Sequence, residues 1–543
     1  MKVMFYVFMV TGLLVLSQAV RAQDKRPNIV LIMADDMGYS DIGCYGGEIE
    51  TPNLDRLATE GLRFSQFYNN ARCCPSRASL MTGLYPHQAG IGHMTNDPED
   101  STAFNYGLPS YAGDLNFQSV TIAEVLKSAG YQTLMTGKWH LGYHDRNRWP
   151  LQRGFDKYYG ILAGASNYFN PSGKRGLTLM NEPIEPEGAD FYITDAFTDY
   201  AIRFMNESQR ESDAPFFLYL AYTSPHWPLN ALEANIAKYR GTYKAGWKKL
   251  RRERFERMQR MGVVDGQVTQ LSADDGADWD TLSDGQQDEM DYRMALYAAQ
   301  VDRMDQNIGR IIEALEASGE LENTLIFFLT DNGACAEGGL LGGGKKELLG
   351  GQDGYFLTYG QSWANASATP FRTYKHWVHE GGIGTPLIVH WPQVVDKRLQ
   401  GSFTGQYGFL QDIMATVVEV ANADYPVRYN GQPITPLEGR SMLHVLRGKD
   451  TPIHDAPIFW EHEGNAAVRH GKFKLVKAYA PGNPANWELY DISKDRAESN
   501  DLSAELPDVV AELSAYYEQW RVKNGVLPYD RVLEIRKEKN AKR

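Results

Sequence analysis

The sequence predicts an α/β fold, with a large, mixed but mostly parallel sheet flanked by helices and a smaller α+β unit at the C-terminus. Three observations predict it. Apolar, β-prone runs end abruptly in polar residues, helical patterns lie between them, and short alternating strands replace this order from about Pro452.

The first apolar run, "NIVLIM" (28–33), passes into Ala34-Asp35-Asp36. "FFLYLAY" (216–222) passes into Thr223-Ser224-Pro225-His226, and "TLIFFLT" (324–330) into Asp331-Asn332-Gly333. Unbroken runs of this length fit strands covered on both faces, as in a parallel sheet. Between them, "QSVTIAEVLKSAG" (118–130) and the stretch 290–319 keep helical spacing, the second closing on Gly319 as a cap. In open α/β sheets ligands bind outside the carboxyl ends of the strands, so the polar residues after the runs are expected to share one rim.

Two stretches interrupt this order. Residues 240–289 are first basic ("KKLRRERFER") and then acidic ("SADDGADWD"), the pattern of a solvated surface insertion. Residues 338–359 are glycine-rich without apolar period and follow a proposed site strand; a mobile lid and a plain surface loop both fit. Beyond Pro452, "APIFWEHEGNAAVRHGKFKLVKAY" and "NWELYDI" read as short antiparallel strands and "LPDVVAELSAYYEQWRVKN" as an amphipathic helix. The expected division is therefore a signal peptide over 1–22, a catalytic domain over 23–451 and an α+β subdomain over 452–543.

The signal peptide rests on Lys2, an apolar run over 3–16 that is short for a membrane span, and small residues ending in Val20-Arg21-Ala22. It predicts a periplasmic or secreted protein without stable membrane insertion. Four cysteines in 543 residues do not make a disulfide framework. A formal charge of −13 argues against nucleic acid as partner. An anionic substrate would need a strong local positive field against that background, so the place to find is one where Lys, Arg, His and a cation gather.

Asp35, Asp36, Asp331 and Asn332 offer only oxygen ligands, a set that suits Ca2+ or Mg2+ better than zinc. Asp and Asn are also common turn residues, but two such pairs at strand ends of one sheet favour the metal. Around them stand Arg77 in "CCPSR", Lys138 and His140 in "GKWHLG", His226 in "SPHWPL" and Lys375 in "FRTYKHWVHEGG". Singly, such a Lys is usually solvated and such a His structural. Together, on strand-end loops of one sheet, they would make an oxyanion site between a divalent cation and basic groups, a recurring arrangement for phosphoryl-type transfer.

"CCPSRASLMTG" (73–83) resembles the signature of the formylglycine-dependent sulfatases, C-x-P-S-R followed by a leucine and Thr-Gly. Ordered matches run on through "TGKWHLG", "SPHWPL", "DNGA" and "HEGGIGTPLIVHWP" to "WELYDISKDRAESNDL", and "AGIGHM" (89–94) with Lys375 is similar to bacterial arylsulfatases. Leu84 departs from the pattern, since many relatives carry a basic residue there.

The resemblance implies an alkaline phosphatase/sulfatase-like fold and hydrolysis of sulfate monoesters, on sulfated carbohydrates and on aryl sulfates. It implies that a formylglycine-generating maturation enzyme oxidises Cys73, with Cys74 at the unconstrained position. It also implies one Ca2+, less readily Mg2+, on Asp35, Asp36, Asp331, Asn332 and the modified Cys73. Arg77 and Lys138 would polarise the formylglycine hydrate, and His140 would deprotonate its second hydroxyl. His226 and Lys375 would bind sulfate and protonate the leaving oxygen, in a division left open. Two other readings stay open: a phosphodiesterase or phosphonate monoester hydrolase of the same superfamily, and a glycan-binding protein on an inactivated scaffold. "NES" at Asn206 and "NAS" at Asn365 would be glycosylation acceptors in a eukaryotic secretory host.

Overall fold

The computed structural model describes residues 26–266, 269–481 and 486–542; the expected signal peptide lies outside the described residues. Ten strands form the large sheet: β1 (Asn28–Ala34), β2 (Leu62–Tyr68), β3 (Gln132–Lys138), β4 (Lys157–Ile161), β5 (Leu177–Leu179), β6 (Glu182–Ile184), β7 (Phe216–Ala221), β8 (Thr324–Thr330), β9 (Gly384–His390) and β10 (Phe403–Phe409). Their order is β10-β2-β9-β8-β1-β7-β3-β4-β5-β6. The central block β8-β1-β7-β3-β4 is parallel throughout, and β9, β5 and β6 bring the antiparallel pairings.

Every residue of β1, β7 and β8 is buried, as unbroken apolar runs require. Alternation divides them between two cores. Val30, Ile32 and Ala34 face one layer, and Ile29, Leu31 and Met33 the other. Register then sets the site: Ala34 lies opposite Thr330, and Ala221 opposite both Met33 and Gly137, so Asp35, Asp331, Lys138 and Thr223 emerge side by side.

The long helix begins at Asp284 rather than near Met290, because Ser283 accepts from the backbone of Gln286 in a capping box, and it runs to Ala317. The basic half of residues 240–289 is not simply a solvated face, although most of 273–289 is exposed as expected. Helix Gly246–Met261 buries Trp247, Arg254 and Met258, and Trp247, Trp279 and Trp363 meet edge to face. Arg254 reaches Asp41 at 2.6 Å and Glu48 at 2.8 Å. The charge run concealed a helix whose inward guanidinium is paired with carboxylates, which is how such a group tolerates burial.

Residues 338–359 are anchored beside the site: Arg293 donates to the Gly343 carbonyl at 2.8 Å, and Leu229 N–H to the Leu357 carbonyl at 2.9 Å. A two-residue hairpin, β11 (Arg428–Tyr429) and β12 (Gln432–Pro433), precedes the small antiparallel sheet of β13 (Ile458–His462), β14 (Asn465–His470), β15 (Phe473–Lys477) and β16 (Glu488–Asp491). Helix Pro507–Lys523 covers that sheet through Leu513, Tyr517 and Trp520. A further helix, Tyr529–Ala541, is mostly exposed and packs through Val532 against Tyr106 and Tyr111; its weak apolar pattern gave no sequence signal. The small sheet is tied to the large one: Trp460 Nε1 donates to the Asn69 carbonyl at 2.8 Å, and Lys474 lies 3.0 Å from Glu380.

Candidate active site

Cys73 opens the wholly buried helix Cys73–Thr82, which ends at Gly83 with φ 70° and a backbone bond to Ser79. The two adjacent thiols point to different environments. Cys74 is inert core: it accepts from the Thr95 backbone at 3.3 Å and lies 3.6 Å from Met94 Sδ. Cys73 lies at the helix N-terminus, where free N–H groups favour negative charge. Cys74 hydrogen bonding, then Lys138 and His140, hold its thiol well below the usual range despite burial. No disulfide joins the two; all four cysteines are free.

The structure brings every proposed site residue to one rim. Lys138 Nζ lies 2.7 Å from Asp35 Oδ2. Arg77 grips Asp331 Oδ2 through Nε at 3.0 Å and Nη2 at 2.8 Å, and donates to the Lys138 carbonyl at 3.0 Å. Asp36, at φ 65°, turns its carboxylate to Lys375 Nζ at 2.8 Å and His226 Nε2 at 3.4 Å. Asn332 Nδ2 donates to Asp36 Oδ1 at 2.6 Å. His226 Nδ1 contacts the Trp227 carbonyl at 2.7 Å, which leaves Nε2 facing the site. His140 sits at φ 55° against Gly164, where a Cβ would come within 2.6 Å of its ring.

Burial dominates the electrostatics. It pushes His140 and His226 down to about 4, so both imidazoles are neutral near pH 7. Burial, then Asp35, pushes Asp331 up to about 7, and burial also raises Asp35 in spite of Lys138 and Arg77. For Asp36, burial is outweighed by Lys375 and His226, and its carboxyl stays ionised. Lys375 is held well above its usual range, as Asp36 overcomes burial.

The donor set fits a hard cation. Asp35 Oδ1 and Asn332 Oδ1 are buried and make no hydrogen bond among the described residues, while Asp36 and Asp331 add carboxylates beside them. Oxygen-only ligation with several carboxylates is Ca2+ or Mg2+ chemistry.

Cys73, His140, His226 and Lys375 line a cleft of about 140 Å³. Its outer wall brings in residues the sequence did not flag: Phe104, Tyr143, Trp227, Arg72, Arg175 and Glu337. Trp227 donates to Glu337 at 2.8 Å, and Arg72 lies 3.1 Å from the same carboxylate. Arg72 and Trp227 adjoin motif residues, which was a usable signal; Glu337 stands alone in a loop and gave none. Asn365 is buried in helix Gly360–Ser367 and cannot accept a glycan, whereas Asn206 is exposed.

A sulfatase family model matches residues 27–423, and a model of the C-terminal part of N-sulphoglucosamine sulphohydrolase matches residues 372–523. An uncharacterized sulfatase of Schizosaccharomyces pombe is 33% identical over 95% of this chain and 97% of its own length. An arylsulfatase of Klebsiella aerogenes is 34% identical over 79% of this chain and 94% of its own. Among solved structures, Ps i-CgsB is similar with a TM-score of 0.67 and 27% identity, over 92% of this chain and 94% of that one, and it has also been solved with k-i-k-neocarrahexaose. The mixed ten-stranded sheet with its small antiparallel partner is the alkaline phosphatase superfamily architecture these neighbours share. The chain belongs to the sulfatase family, hydrolases that act on sulfate esters.

Proposed function

We propose that Cys73 is oxidised to formylglycine by a maturation enzyme, and that the matured protein desulfates sulfated carbohydrates and also acts on aryl sulfates. The observation that carries this reading is the position of Cys73, at a buried helix N-terminus on the cleft, facing His140 and Lys138 and flanked by an oxygen-only cluster. As a formylglycine hydrate, residue 73 supplies one hydroxyl to attack sulfur and a second whose deprotonation expels sulfate. Asp35, Asp36, Asp331 and Asn332, with residue 73, would hold one Ca2+, Mg2+ being the lesser alternative. A cation there offsets the charge on sulfate and polarises its oxygens.

Arg77 and Lys138 are fixed by Asp331 and Asp35, so their positive charge is pre-oriented towards residue 73. His140 is neutral and suited to take the proton from the second hydroxyl. Lys375 carries its proton in the substrate-free site and His226 does not. That difference favours Lys375 as donor to the leaving oxygen and His226 as a sulfate ligand.

The carbohydrate assignment is supported by the aromatic wall of Phe104, Tyr143 and Trp227, since such rings offer faces to sugars, and by the oligosaccharide complex of Ps i-CgsB. The signal-like N-terminus supports a periplasmic or secreted location; no helix among the described residues is long and apolar enough to cross a membrane. One preparation tested on sulfated oligosaccharides, nitrophenyl sulfate, a phosphate monoester and a phosphodiester decides the preference. Sulfate release should exceed phosphoester turnover, and the reverse order would reject the reading.

A further inference from the structure

Outside the catalytic rim, a second group of metal-ligating side chains closes on one point between the two sheets. Glu463 is its centre. His93 Nε2 lies 3.0 Å from Glu463 Oε1, His376 Nδ1 3.1 Å from Glu463 Oε2, and His462 Nε2 3.9 Å from Glu463 Oε1. One ligand atom each from His376, His462 and Glu463 lie within 4.8 Å of one another. A tetrahedral zinc ion with Zn–N bonds of about 2.0–2.1 Å holds its ligand atoms about 3.3 Å apart, so the contacts to Glu463 bracket the spacing that an ion would set.

Two independent observations point to a ligand. His462 is 1% exposed, yet neither of its ring nitrogens makes a hydrogen bond among the described residues, whereas the buried His93 keeps its Nε2 3.0 Å from Glu463 Oε1. A buried imidazole without a partner is rare unless something is missing beside it. Second, the backbone is strained where the ligands are presented: Glu463 has φ 50° and His376 φ 90°. Glu463 lies in the turn from β13 to β14 with Gly464 at φ 84°, a pair of positive φ values that favours Asn-Gly or Gly-Gly over glutamate.

We propose that His376, His462 and Glu463 bind one transition-metal ion of the zinc class, with His93 held against the Glu463 carboxylate, separate from the hard cation of the catalytic rim. Two imidazoles and a carboxylate suit Zn2+ with a fourth position open to water, and are a poor set for Ca2+. The ion enters from the side of His376 and Glu463, whose side chains are 34% and 22% exposed. Loading His376 Nδ1 places the ring proton on Nε2, so the 3.3 Å contact from Asn465 Nδ2 is released; that amide keeps its bond to the His462 carbonyl at 3.0 Å. The ion staples the end of β13 to the loop carrying Lys375, while Glu463 also meets His93 beside Met94, and so holds one wall of the cleft. The inference does not rest on formylglycine at residue 73.

The test is zinc content and X-ray absorption of the full-length protein after dialysis against Zn2+ and then against Ca2+. The expected result is about one tightly held zinc, a nitrogen and oxygen shell with imidazole scattering, and full retention in Asp331→Ala. Losing one ligand should weaken zinc at least about 100-fold, since even outer-sphere partners are worth 10–100-fold, so His462→Gln and Glu463→Gln should each lose the ion. The wild-type spectrum stands even if these variants fail to fold. Absence of bound zinc overturns the site. So does sulfur in the shell, which would place the ion on the buried group Cys73, Cys74 and His140.

Discussion

The oxygen cluster at the tips of β1 and β8 and the imidazole cluster around Glu463 are built by opposite means. In the first, sheet register delivers adjacent ligand pairs, Asp35-Asp36 and Asp331-Asn332, each one residue past a buried strand. In the second, three segments distant in sequence converge, and the backbone is strained where two of them arrive. The first stands among cations that touch the cleft, whereas the second reaches it through Met94 and Lys375. The difference teaches that chemistry placed by strand register is written locally, while chemistry placed by docking of two sheets is not.

The largest effects should fall on the first region. Asp331→Ala and Cys73→Ala should each lower kcat/KM for nitrophenyl sulfate at least about 1000-fold, as loss of a nucleophile or its electrostatic support does. Cys74→Ala should keep substantial activity, because Cys74 faces the core; the reverse pattern would move the nucleophile to Cys74. His140→Ala should lose about 100- to 10,000-fold in turnover while still giving a burst of one product per site, measured by rapid quench.

Lys375→Gln sharpens the contrast between the two sides of its loop. If Lys375 protonates the leaving oxygen, the loss should be greater on a sulfated sugar than on nitrophenyl sulfate, because the alkoxide is the poorer leaving group. Equal losses would assign the acid role to His226 instead.

Metal affinity should separate the clusters by pH. Asp331 is pushed up to about 7 by burial and by Asp35, and a carboxyl must lose its proton to ligate. Ca2+ binding should therefore release a proton below pH 7 and weaken by up to about 10-fold per unit as pH falls further; calorimetry in buffers of different ionisation enthalpy checks it. The smallest effect should come from stripping the proposed zinc, which touches no reacting atom. kcat should stay within about 10-fold, in keeping with an outer-sphere role, while KM for an oligosaccharide rises as the cleft wall loosens.

Much of the first region was legible in the sequence. β1, β7 and β8 were recognisable because runs buried on both faces carry no polar interruption, and each ended on a residue that the structure brings to the rim. The helix Gly246–Met261 was misread because its inward Arg254 looks like any surface arginine until Asp41 and Glu48 are seen beside it. His93, His462 and Glu463 passed unnoticed for a related reason: the adjacent His462-Glu463 reads as an ordinary hairpin end, and only the β13–β14 turn against the His93 and His376 loops brings the group together.

The central claim is that residue 73, and not its neighbour, carries the chemistry, and mass analysis of the peptide spanning Asn69 to Gly83 from active protein tests it most directly. The account predicts the mass of a thiol-to-aldehyde conversion, with fragmentation placing it at position 73 and an intact thiol at Cys74. Active protein with an unmodified Cys73, or with the conversion at position 74, would contradict it.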